Sequence, residues 1–169
     1  MTFILDIIST NSDTAIKLSE IVITSILGFS VLGATIIYNR TQNNIAKHRL
    51  QKELFSEFNK RYDKLNDDLE AITQFESMEM LMDQKPDEYK LLRYKLNDYF
   101  NLCAEEYYWY KNERIDLDLW KSWEAGMNSW YNNHRIIREA WQEEYNRFGQ
   151  EAFYLKEGEQ FFLGYNTKK

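Results

Sequence analysis

The residues best suited to bind something lie in one run, Trp130-Tyr131-Asn132-Asn133-His134-Arg135, followed by Arg138. Aromatic faces, two amides and two arginines at a helix junction suit stacking on bases and pairing with phosphates. Arg114 and Lys111 join this set if the helices on either side of residues 113–116 run antiparallel. A plainer account also holds: Trp130 is core, the asparagines form a turn, and the arginines pair with Glu139 or Glu143.

Other chemistry finds little footing. Cys103 falls on an apolar helical stripe, the place of a buried, inert thiol, and as a lone cysteine it excludes an intramolecular disulfide. The two histidines, His48 and His134, follow Ile45 and Tyr131 by three residues, so no Glu-x-x-His pair exists for a di-iron bundle, and no His-Glu-x-x-His is present. There is no Gly-x-Ser-x-Gly elbow and no glycine-rich phosphate loop. Glu105–Glu106 and Glu139–Glu143 are acidic pairs, which on a helix surface usually serve solvation. No metal or cofactor is expected, and no catalytic residue is assigned.

The elements that would carry these residues read as helices. Pro86, the only proline, ends one helix and opens the next, with Asp87 and Glu88 at its positive end. Leu92, Leu96, Tyr99, Cys103, Tyr107 and Tyr110 form one stripe of that helix, broadened by Leu91, Phe100, Leu102 and Trp109. Asp116 suits an N-cap for a third helix, whose face is Trp120, Trp123, Met127 and Trp130. Gly126 within it suggests close packing against another helix. A fourth helix should bury Ile137, Trp141, Tyr145 and Phe148 and stop at Gly149. Gln150–Leu163 reads as a last short helix, and Gly164–Lys169 as a polar tail. Upstream, Leu54, Phe58, Tyr62, Leu65, Leu69 and Ile72 repeat at helical spacing. With no proline or glycine between Gly33 and Pro86, one helix is expected to run to about Met82.

The N-terminal part differs in kind. Of the 27 aromatic residues, 24 lie from Phe55 onward. Residues 1–38 carry a net charge of −2, 39–65 carry +4, 66–88 carry −7 and 89–169 carry −1. The net −6 speaks against duplex nucleic acid as a partner. Ile21–Asn39 contains no charged residue, and as a helix it would extend ~28 Å, close to the hydrocarbon thickness of a bilayer. An acidic N-terminus and a poor cleavage site argue against a signal peptide. Arg40, Lys47, Arg49 and Lys52 follow the span and only Lys17 precedes it, so the positive-inside rule places the C-terminal side in the cytoplasm, with those four at the headgroups.

Leu96–Met127, LNDYFNLCAEEYYWYKNERIDLDLWKSWEAGM, resembles a stretch in uncharacterised bacterial membrane-anchored helical proteins. The elements that carry the likeness are the Leu-Cys-x-Glu-Glu-Tyr-Tyr run, the acidic-hydrophobic turn and the Trp-x-x-Trp-x-x-Gly-Met helix. It covers about a fifth of the chain, and it implies a bacterial origin and a helical cytoplasmic domain. The overall plan is similar to small membrane effectors of antiviral defence, whose cytoplasmic domain senses an infection signal; that likeness is architectural.

The expectation is therefore an all-α chain: residues 1–14 outside, a single inner-membrane helix over 15–39, a juxtamembrane helix over 40–82, and a distal domain over 83–169 that packs with it in a bundle of four or five helices. The function expected is that of a membrane-anchored, non-enzymatic interaction or sensor protein with the bilayer and further copies of itself as partners. The alternative is an oligomeric effector gated by a cyclic nucleotide or other nucleotide messenger; a protein partner is a further option.

Overall fold

The computed structural model describes residues 2–163, with side chains for Thr14 and from Ile16 onward. The described residues contain helices and no strand: α1 (Thr2–Ile72), α2 (Met78–Gln84), α3 (Pro86–Lys111), α4 (Leu117–Asn133), α5 (Arg135–Phe148) and a 3-10 turn at Gln150–Phe153. The Gly164–Lys169 tail lies outside the described residues. The chain forms two compact units, residues 1–48 and 49–169.

In the first unit, α1 is apolar on every side over residues 21–37, and no described residue covers that stretch. Ile21, Val22, Ile23, Ile26, Leu27, Phe29, Val31, Leu32, Ile36 and Ile37 are all more than half exposed. A helix that is hydrophobic all round needs either a protein interior or a bilayer. Its hydroxyls are turned inward: Thr24, Ser25, Ser30 and Thr35 each donate to the carbonyl four residues back, at 2.7–2.8 Å. Those bonds satisfy the serine and threonine hydroxyls of the stretch without water, as a hydrocarbon environment requires. The helix is long and apolar enough to cross a membrane, and none of its most apolar window is buried.

In the second unit the C-terminal part of α1 packs against the helices that follow. Phe58, Leu65, Leu69 and Ile72 are buried, with Leu54 and Tyr62 at the margin. Arg61 makes a two-pronged bond to Glu105, at 2.6 and 3.0 Å, and Lys95 reaches Asp68 at 3.1 Å. Both pairs join α1 to α3.

α1 ends at Ile72, ten residues short of the Met82 that the sequence suggests. Thr73 Oγ1 and Gln74 Nε2 both donate to the Glu70 carbonyl, and Ser77 caps α2 by accepting from the Met80 amide. The deeper reason is burial. Ile72 and Leu81 are nine residues apart, so on a continuous helix they would point ~180° apart. Both are fully buried, and only a break lets one core take both.

The remaining elements follow their local signals. Pro86 opens α3, and Asp116 caps α4 by accepting from the Leu119 amide at 2.8 Å. Gly149, at φ +78°, ends α5 in a backbone conformation that side chains resist. Residues 154–163 form no helix; the chain makes a 3-10 turn and then runs irregularly. Phe153, Phe161 and Phe162 are buried all the same. Trp141 is the hub, its ring 4.6–5.3 Å from those of Phe153, Phe161, Phe162 and Phe100. Phe148 and Leu91, expected inside, are exposed; Phe148 is the last residue of α5.

Gly126 also departs from expectation. A Cβ at this position would meet nothing within 4 Å, so no neighbouring helix requires the glycine. Gly126→Ala should therefore stabilise the bundle by about 1 kcal/mol through lost unfolded-state entropy. Urea unfolding of the full chain in detergent would read this, because all five tryptophans lie between residues 109 and 141 and report on the bundle alone.

Candidate functional site

The α4–α5 junction does bring the aromatic-basic run together, and most of its polar atoms are occupied. Trp130 Nε1 donates to Tyr62 Oη at 2.8 Å, and its indole lies 5.3 Å from the His134 ring. Tyr131 stacks on Phe162 at 4.8 Å. Asn132 donates to the Leu163 carbonyl and Asn133 to Ser129 Oγ. Arg138 Nη1 donates to the carbonyls of Tyr131 and Asn132, at 2.9 and 2.7 Å, and so satisfies the end of α4. Burial, then the Arg138 charge, lowers the His134 pKa, which keeps the imidazole neutral at pH 7. Arg135 is two-thirds exposed but pairs with Glu139 at 2.6 Å. Lys111 bonds the Tyr154 carbonyl and Glu159, and Arg114 is exposed beyond α3.

The basic residues that follow the apolar stretch are in a different condition. Arg40, Lys47, Arg49 and Lys52 are exposed, and among the described residues none of them forms an ion pair.

One cleft of the bundle, about 550 Å³, is lined by Arg61, Lys64, Lys95, Asp98 and Glu105. Arg61 pairs with Glu105 within it, and Lys95 with Asp68 beside it. A smaller cavity, about 180 Å³, is built otherwise. α1 contributes Asn59 and Tyr62, α3 contributes Tyr99, Leu102, Cys103 and Glu106, and α4 contributes Ser122, Trp123, Gly126 and Met127. Ser122 and Gly126 are exposed and form its rim.

Two polar groups in this wall lack partners. Glu106 is 6% exposed, yet no hydrogen bond or salt bridge joins it to a described residue. The nearby Arg61 is committed to Glu105. Burial pushes the Glu106 carboxyl up to about 8, partly opposed by Arg61 and reinforced by Glu105. Tyr99 Oη is buried without a partner of hydrogen-bond geometry, the Cys103 thiol beside it being a weak one. Burial, with the charge of Glu106, raises the Cys103 thiol well above its ordinary value, so it is protonated and inert.

The sequence reading places Glu106 on a solvated surface, and the structure places it inside. The signal was present: Tyr99, Cys103, Glu106 and Tyr110 follow at spacings of 4, 3 and 4, so the carboxylate sits on the apolar stripe. Only the packing of α1 and α4 over it turns that position into a cavity wall.

No family model matches this chain, and neither does any curated protein or solved structure.

Proposed function

We propose that the protein is a single-pass membrane-anchored helical sensor, with residues 15–39 in the bilayer, the N-terminus outside and the bundle in the cytoplasm. One observation carries the reading: a fully exposed apolar helix whose hydroxyls are bonded back to their own backbone. In water, ten large apolar side chains left uncovered would cost too much to persist. The orientation rests on Arg40, Lys47, Arg49 and Lys52, which are exposed and unpaired and so are available to anionic headgroups at ~1 kcal/mol each.

The sensing role is favoured by the bundle's interior, which keeps a cavity lined by the buried Glu106 carboxyl and the unpartnered Tyr99 hydroxyl. The nucleotide-messenger alternative finds less support. Arg138 and Lys111 are occupied by carbonyls and by Glu159, and burial with the Arg138 charge disfavours the charged form of His134.

Cysteine labelling tests the topology. In intact cells, Thr14→Cys should react with a membrane-impermeant maleimide, and Asn44→Cys only after permeabilisation. Cys103 is buried and should remain silent. The reverse pattern would invert the orientation, and equal labelling of both sites before permeabilisation would end the spanning model.

A further inference from the structure

The cavity between α1, α3 and α4 has the makings of a binding site rather than a packing defect. Native interiors rarely hold a carboxyl as buried as Glu106, 6% exposed, without a protein hydrogen-bond partner, because desolvating its ionised form is costly. Here Glu106 faces the space, and Tyr99 Oη is unpartnered in the same wall. The surrounding charge is acidic. Arg61 is the cation whose charge acts on Glu106, and Glu57, Glu105 and Glu106 all act on it in turn. It bonds Glu105 and leaves Glu106 uncompensated. From α1 the titratable groups near Glu106 are Arg61 and Tyr62; from α3 they are Tyr99, Cys103 and Glu105; α4 adds no titratable side chain to the wall.

The apolar lining is of a particular kind. Tyr62, Tyr99 and Trp123 are aromatic and Met127 is a thioether, groups whose polarisable electrons attract positive charge. The volume is a little above that of an engineered apolar cavity of ~150 Å³ that accepts benzene.

We infer that this cavity binds a small organic cation, an ammonium on a compact apolar body, with Glu106 as its counter-ion and Tyr62, Tyr99 and Trp123 as its aromatic wall. An anionic ligand is disfavoured by the same acids, and a neutral one offers nothing to the carboxylate once it ionises above about pH 8. This deepens the sensor reading by naming the ligand class, and it is independent of the anchor. The cavity lies within the bundle, so failure here leaves the topology standing, and an overturned topology leaves the cavity standing.

The probe is benzylammonium, titrated calorimetrically into the full chain in detergent micelles, with benzyl alcohol as the uncharged isostere. Saturable one-site binding of benzylammonium is expected. It should be at least tenfold tighter at about pH 8.5 than at about pH 6, as the carboxyl ionises. Benzyl alcohol should show no such dependence. Glu106→Gln should weaken benzylammonium at least tenfold at the higher pH and leave benzyl alcohol unchanged. Tyr99→Phe should weaken both cation and alcohol only slightly. Absence of saturable benzylammonium binding, equal affinity for the alcohol at about pH 8.5, or undiminished binding by folded Glu106→Gln would each overturn the inference. The comparison of cation with alcohol on the native chain decides the matter even where the variant fails to fold.

Discussion

Arginine at both Leu27 and Val31 is expected to release the protein from the membrane. The two positions lie at the centre of the uncharged stretch, one helical turn apart and 60% and 65% exposed. A charged residue at the middle of a spanning helix costs about 2.5–3.5 kcal/mol in insertion, so the pair removes about 5–7 kcal/mol. Snorkelling offers limited relief, because both side chains start near the midplane and leave by the same face. After alkaline carbonate extraction the wild-type chain should stay in the pellet and the double arginine variant should move to the supernatant. Leu27→Ala with Val31→Ala, a control for lost apolar area alone, should remain in the pellet. Retention of the arginine variant would show that lipid does not solvate this stretch. Tryptophan emission should be unchanged in both variants, since the tryptophans all lie in the separate compact unit over residues 49–169.

Stability against pH gives the second large effect. The Glu106 carboxyl titrates at about 8 in the folded chain against 4.5 ordinarily. Below about pH 4.5 it is protonated in both states and contributes nothing to the pH dependence. Between about 4.5 and 8 the unfolded chain has released a proton that the folded chain keeps, so stability falls by ~1.4 kcal/mol for each pH unit. Above about pH 8 both states are ionised and the loss levels off. The full fall is at most about 5 kcal/mol. Glu106→Gln removes this titration and adds only a pH-independent offset from burying an amide. Urea midpoints of the full chain in detergent, followed by tryptophan emission, should therefore diverge between wild type and variant as pH rises from about 4 to about 8.5. Parallel profiles would mean that the carboxyl is not held in a desolvated site. A small cation bound at the cavity would restore part of the wild-type loss at high pH, linking this profile to the calorimetric test.

Both effects come from places where a charge meets a medium that cannot solvate it, and the two were unequally visible beforehand. The apolar stretch was plain because it is local: nineteen residues without a charge announce themselves in any fold. Glu106 was obscure because its neighbours in sequence, Glu105 and Tyr107, are partly exposed, and its burial depends on Tyr62 and Trp123 from other helices. The junction residues show the converse. Their types suggested phosphate chemistry, but Arg138 turned to the carbonyls of its own chain, and the free end of α4 was the nearer acceptor.

Local signals in the chain were enough to establish the helices over residues 86–148, the N-cap at Asp116, the start and stop at Pro86 and Gly149, and most of the apolar faces, since each depends on spacing within a few turns. Tertiary structure alone decided the break after Ile72, the irregular path of residues 154–163 and the enclosure of Glu106. In each of these the deciding energy is burial against residues distant in sequence. Ile72 and Leu81 must share one core, Phe161 and Phe162 must reach Trp141, and a carboxylate becomes interior only once α1 and α4 close over it.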